Sequence, residues 1–146
     1  MPEQGDRYVG MTLIEAENAI VEEFSMYEEW LDKYEYLIEL GKALQNYPEA
    51  AKTDDRLIKG CQSRVWLDYK VEDGKIVFNA DSDAIITKGI ISLLIGLYSG
   101  RTAQEILSSD FSVVEKIGLK ENLSPTRANG LVSMSAKIRE VAGANV

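Results

Sequence analysis

The sequence predicts an α+β fold in which a small antiparallel β-sheet of two to three strands packs against helices. Three observations lead there. Apolar residues recur at three- and four-residue spacing up to Leu44 and again beyond Ala84. Between Val65 and Phe78 the period drops to two, and Asp73-Gly74 falls inside that stretch as a tight-hairpin signal. No strand-helix-strand alternation asks for a parallel sheet.

Residues 1–11 are polar and contain glycine, which suggests a flexible N-terminal arm ahead of a single domain over 12–146. Thr12-x-x-Glu15 reads as a capping box, because hydroxyl and carboxylate each satisfy an orphan backbone N–H. It opens a helix through Ala19, Ile20 and Phe24. Ser25-x-x-Glu28 repeats the device and is expected to open a longer helix. Its Trp30, Leu31, Tyr34, Leu37, Ile38, Gly41 and Leu44 make one apolar stripe. Pro48 ends that signal, and a charged loop leads into Arg56-Leu57-Ile58-Lys59, a candidate short strand broken by Gly60.

Val65, Leu67, Tyr69 and Val71 should share one face of the first hairpin strand, with Trp66, Asp68 and Lys70 on the other. The return strand through Ile76, Val77 and Phe78 must travel back, which should bring Asp81-Ser82-Asp83 beside Cys61. One of those three is expected to cap the apolar run from about Ala84 to Tyr98, with Gly100 as its stop. This run falls short of the roughly 20 residues a bilayer span needs and carries Lys88, so it reads as a buried core helix. Thr102-x-x-Glu105 and Ser112-x-x-Glu115 should open two short helices, and Ser124-Pro125 the last one.

With 146 residues, 45% of them hydrophobic and 27% charged, the chain has the balance of a globular protein with a real core. Sixteen basic against 24 acidic residues give a net charge of −8, which repels phosphate backbones and anionic lipid. Neither nucleic acid nor membrane is therefore an expected partner. Met1 to Gly10 lacks an apolar run flanked by basic residues, so no secretory signal is expected and the cytoplasm is the expected location. The glycines form no phosphate-binding loop. Asp81 and Asp83 offer too few oxygen donors for a hard cation, and no metal is expected.

The chain has one cysteine and no histidine. A lone thiol closes no intramolecular disulfide, runs no Cys-x-x-Cys cycle and builds no multi-cysteine zinc site. Without imidazole a Cys-His hydrolase is also excluded. What remains is a thiol that hands something on, a thiol activated by a partner, or a structural cysteine. Lys59, Gly60, Gln62, Ser63 and Arg64 give Cys61 a small, polar, partly cationic setting, which is expected to lower its pKa. Arg127 lies in the first turn of the last helix, where a cation opposes the macrodipole. It is either paired with Asp81 or Asp83 or aimed at an anionic group.

Gly60-Cys61-Gln62-Ser63-Arg64-Val65-Trp66 is similar to the GCQSxVW signature of the SufE family of sulfur-acceptor proteins. Three further stretches resemble that family in order and approximate spacing: Tyr34-Ile38-Glu39-Leu40-Gly41, Asp81-Ser82-Asp83-Ala84 with Lys88-Gly89, and Ser124-Pro125-Thr126-Arg127 with Gly130-Leu131. The resemblance implies a SufE/IscU-like fold with the cysteine on a loop at the tip of the sheet. It implies that Cys61 takes persulfide sulfur from a PLP-dependent, SufS-like cysteine desulfurase, stimulates that enzyme and passes the sulfur to iron-sulfur cluster assembly on a SufB-like scaffold. PLP would belong to the desulfurase, and the chain would be a persulfide carrier rather than a stand-alone enzyme. Gly60, Gln62, Ser63, Arg64, Asp83 and Arg127 would shape the loop or meet the partner. Arg56 and Arg64 depart from the pattern, standing where Asn and Gln are frequent. The competing reading is a non-catalytic binding module that activates a partner enzyme, with Cys61 structural.

Overall fold

Helix α1, Leu13–Ser25, begins with the capping box: Thr12 Oγ1 accepts the Glu15 N–H at 3.1 Å and Glu15 Oε1 accepts the Thr12 N–H at 2.8 Å. The computed structural model describes residues 10–44, 47–119, 123 and 125–146, without the side chains of residues 126 and 127. Most of the expected arm, residues 1–9, lies outside that set, as do Ser124 and the Arg127 side chain. Met11, at the arm's end, has its carbonyl bound by the guanidinium of buried Arg101.

The second capping box does not form. Ser25 is the last residue of α1, and its hydroxyl donates to the carbonyl of Glu22 at 2.6 Å. Helix α2, Trp30–Gly41, starts after Glu29 with no side-chain cap. A serine in the final turn of one helix satisfies its donor backwards, so it is not available to the next helix. The expected apolar stripe is also narrower: Leu37, Leu40 and Gly41 are buried, whereas Leu31 is 68% exposed.

Strands β1, Val65–Glu72, and β2, Lys75–Ser82, pair antiparallel in the register Val65↔Ser82 through Glu72↔Lys75. The turn is Asp73-Gly74, with φ of 52° and 77°, a conformation with positive φ at both central residues that suits the twist of a hairpin. The expected two-faced alternation holds along β2, where Ile76, Phe78, Ala80 and Ser82 are buried, but not along β1. In β1, Val65, Trp66 and Leu67 are all buried and Tyr69 and Val71 are exposed, although Phe78 and Ile76 opposite them on β2 lie in the core: past Leu67 the outer strand is left uncovered while its partner stays packed. The candidate strand before Gly60 is reduced to a single bridge, Leu57↔Trp66, with the Ile58 N–H donating to the Val65 carbonyl at 2.8 Å.

Helix α3, Ile85–Tyr98, is buried along almost its whole length and forms the centre of the core. Its expected cap is absent: Ala84 occupies the N-cap position without a side-chain bond, because the Asp81-Ser82-Asp83 side chains are used elsewhere. Helix α2 crosses α3 at unusually close range, with a β-carbon at Gly41 coming 3.1 Å from the Gly89 nitrogen. Ser92 fixes the crossing by donating to the Leu40 carbonyl at 2.6 Å.

Helices α4, Ala103–Ser108, α5, Val113–Lys116, and α6, Pro125–Ala144, follow α3. Thr102 caps α4 at 3.2 Å, but Glu105 turns away from the box and accepts the Leu13 N–H at 3.0 Å, tying α4 to the start of α1. Ser112 makes no side-chain cap; Asp110 accepts its N–H instead, at 2.9 Å. Buried Leu131, Met134, Ile138 and Val141 give α6 its inner face. Among the described residues no helix is long and apolar enough to cross a membrane.

Candidate functional site

Cys61 lies on a short loop closed at its stem by the Ile58–Val65 backbone bond. On the far side of the cysteine the loop is latched to the end of β2. Asp83 Oδ1 accepts the Arg64 N–H at 3.0 Å, while the Arg64 carbonyl accepts the Ser82 hydroxyl at 2.8 Å and the Asp83 N–H at 3.2 Å. Every polar group of the Arg64 backbone is thus held, while its side chain is exposed. On the near side Gly60 adopts φ +93°, and a β-carbon there would overlap the Ser133 hydroxyl of α6. Both facts require glycine at this position.

The acidic triplet divides its work. Ser82 and Asp83 secure the loop through Arg64, three residues from the thiol. Asp81 instead pairs with Lys52 at 3.3 Å and Lys88 at 3.2 Å, and Lys52 also lies over the Trp66 ring at 5.3 Å. That cluster joins the segment before the loop, the sheet and α3. Arg56 is taken up in structure as well, pairing with Asp68 at 3.1 Å.

The thiol itself is half-buried and packs against the core. It donates to the Gly130 carbonyl of α6 at 3.7 Å, and a β-carbon on Gly130 would come 3.5 Å from Sγ. Around it Thr87 and Ile90 of α3, Gly130 and Met134 of α6, and the loop's own Gln62 and Ser63 enclose a recess of about 80 Å³. Its apolar support comes from α3 and α6. Thr87 and Met134 carried no site signal in the sequence; the four-residue spacing that sets Gly130 and Met134 on one helix face could have found Met134 once Gly130 was placed at the thiol.

Burial pushes the Cys61 thiol above its ordinary range, which reverses the expectation drawn from neighbouring cations. Lys59 and Arg64 are exposed and act through water, whereas desolvation acts on the thiolate directly. Because the folded value is raised, the buried thiol adds stability below the ordinary thiol pKa, and this is lost as pH climbs through the raised value. Alkylation of the folded chain by iodoacetamide should therefore show a rate midpoint above the ordinary thiol pKa of about 8.5. A midpoint at or below that value would mean that the thiol does not rest in the recess.

Chemically, the arrangement presents a single nucleophile, kept protonated, on a loop pinned at both ends. Among the described residues no group of three His, Cys, Asp or Glu side chains converges as a metal site. A family model described as the SufE Fe-S metabolism associated domain matches residues 18–142.

The chain belongs to the SufE family.

Among its SufE relatives, a SufE-like protein of Rhizobium etli is 43% identical over 128 residues, covering 84% of this chain and 86% of that one. The sulfur acceptor protein CsdE of Escherichia coli is 38% identical over 117 residues, covering 79% of this chain and 80% of its own. The fold is similar to the solution structure of a hypothetical protein from Thermus thermophilus, with a TM-score of 0.73 over 89% of this chain and 95% of that one at 19% identity. The SufE assignment makes the α+β architecture that of a sulfur-acceptor family, and the chain's one cysteine lies on the latched loop.

Proposed function

We propose that Cys61 takes persulfide sulfur from a PLP-dependent cysteine desulfurase, that docking stimulates the desulfurase, and that the sulfur passes on to iron-sulfur cluster assembly on a SufB-like scaffold. The reading rests on one observation above the others. The only thiol of the chain sits on a fixed-stem loop over a recess of about 80 Å³, and an added sulfur is close in size to a water molecule, whose share of liquid volume is about 30 Å³. The relationship to CsdE, a sulfur acceptor, supports the same cargo.

In the transfer, Cys61 Sγ attacks the outer sulfur of the donor persulfide. A new Sγ–S bond forms, the donor S–S bond breaks, and the donor cysteine leaves with that electron pair. The proton Cys61 gives up ends on the donor side, so no external oxidant or reductant is consumed. Since the resting thiol is protonated, the loop swings out on docking and the partner or the loop backbone completes the activation. Gly60, Gln62, Ser63 and Arg64 shape this loop, Asp83 holds its stem, and Arg127 meets the partner. PLP stays on the desulfurase. The chain needs no resident cofactor beyond the transient persulfide.

Incubating the chain with a cysteine desulfurase and cysteine, followed by intact-protein mass spectrometry, tests the reading. The expected result is a reducible gain of sulfur located at Cys61. Stimulated desulfurase turnover with no such gain would instead establish a binding module with a structural cysteine. The recess makes a second expectation: Gly130→Val fills the space facing Sγ, so the variant should load but lose its persulfide to dithiothreitol at least about tenfold faster, the rate being governed by access to the sulfur. An unchanged lifetime would rule out shielding by the recess.

A further inference from the structure

A second surface lies on the outer face of α2, away from the cysteine. Met26 and Leu31 are 71% and 68% exposed, and beside them Tyr27, Asp32, Glu35, Tyr36, Ile38 and Glu39 line a groove of about 540 Å³. The Tyr27 and Tyr36 rings lie together in it, 5.5 Å apart. Residues 22–42 hold seven carboxylates against two lysines, so five of the chain's eight net negative charges fall in this one stretch. Both lysines are occupied locally: Lys33 lies over the Trp30 ring at 4.9 Å, and Lys42 bonds Glu39 at 2.8 Å. Asp32 and Glu35 are exposed at the groove and make no ion pair among the described residues.

The position of this face follows from helix geometry. On α3, Gly89 and Ser92 meet α2, whereas Thr87 and Ile90 border the Cys61 recess. At 100° per residue the two pairs point about 160° apart, so α2 and the cysteine lie on opposite sides of α3. On α2 the residues packed inward are Leu37, Leu40 and Gly41, while Asp32, Glu35 and Glu39 face out. With neighbouring helix axes about 8–10 Å apart, the groove stands roughly 20 Å from the thiol.

We propose that this groove docks a basic amphipathic segment of a second partner protein while Cys61 is engaged by the desulfurase. Lysine or arginine side chains of that segment meet Asp32 and Glu35, and its apolar residues cover Leu31 and Met26. Charge complementarity selects the occupant. Another copy of this acidic chain, a nucleic acid and an anionic lipid surface would each bring negative charge to a negative face, whereas a basic segment gains from it. The placement behind α3 selects a partner other than the protein that receives the Cys61 loop. This inference stands whether or not Cys61 carries sulfur.

The test is a titration of the isotope-labelled full chain with a short amphipathic helical peptide of lysine and leucine, followed by amide NMR shifts. Shifts should centre on residues 26–39. Glu35→Lys and Leu31→Ser should each weaken binding by about tenfold, with folding and sulfur loading on Cys61 unchanged. A matched peptide of glutamate and leucine should not bind, and saturating desulfurase should leave the lysine-leucine peptide in place. Shifts scattered over the surface, affinity indifferent to both variants, or displacement of the peptide by the desulfurase would each overturn the proposal.

Discussion

Cys61→Ser should abolish sulfur acceptance outright and reduce desulfurase turnover to that of the enzyme alone, while leaving the fold in place. The expected loss of function is complete because the chain has no other thiol to take the sulfur. The expected cost in stability is below about 1 kcal/mol, for a specific reason. The serine hydroxyl inherits the donor position facing the Gly130 carbonyl, and the side chain it replaces is only half-buried. Desulfurase turnover, intact mass and a urea midpoint measured on one preparation separate the outcomes. If the serine variant stimulates turnover as well as the natural chain does, the thiol is structural and docking alone activates the partner.

How much of this was legible in the sequence differs from element to element. The turn and register of the hairpin were readable, because Asp73-Gly74 fixes the turn and a fixed turn fixes the register that brings Ser82 and Asp83 to Arg64. Helix α3 was readable too, since a long apolar run bearing one lysine has few other destinations. Capping was half legible. Thr12 and Glu15 formed their box, but Ser25 and Ser112 matched the same pattern and bonded elsewhere, because a four-residue pattern does not record which backbone groups are still unpaired at that point in space. Leu31 matched a helical stripe yet faces water, and Tyr69 fitted the alternation on the strand of the hairpin that is left uncovered past Leu67. The sign of the Cys61 pKa shift could not be read from neighbours in sequence. It is set by Thr87, Ile90 and Met134, which come from two distant helices. Arg127 was marked by its unfavourable helix position, and its side chain lies outside the described residues; among those described, Gly130 and Met134 are the α6 residues that line the Cys61 recess.

The loop gains both firmness and freedom from this division. Ile58–Val65 on one side and Arg64–Asp83 on the other fix the stem, so a loop motion that serves the proposed transfer would be confined to Lys59–Ser63. Neither anchor involves the side chain of Gln62 or Arg64, which leaves both exposed for a partner.

Gly89→Val should be the most destabilising single substitution in the described core. A β-carbon at Gly89 would overlap the Leu37 carbonyl oxygen and stand 2.6 Å from the carbonyl carbon, so the obstacle is helix backbone and not the flexible end of a side chain. Relief requires α2 and α3 to move apart, which strains the Ser92–Leu40 bond and opens the packing of Leu37 and Leu40. Overpacking of this kind costs roughly 3 kcal/mol when the backbone must shift, and a chain of this size loses about 2–4 °C of Tm per kcal/mol. The expected fall is therefore about 10 °C, read by calorimetry, with Gly89→Ala intermediate because its single methyl meets the same carbonyl. Gly143→Ala is the control. Nothing lies within 4 Å of its β-carbon position, and removing a helix glycine there should raise Tm slightly. The same separation reaches the site only through Thr87 and Ile90, on the opposite side of α3, so below its melting point Gly89→Ala should still accept sulfur. A variant that melts normally would show that the α2–α3 crossing is looser than these contacts require. One that melts early and also fails to load when cold would show that the crossing positions the Cys61 recess as well as the core.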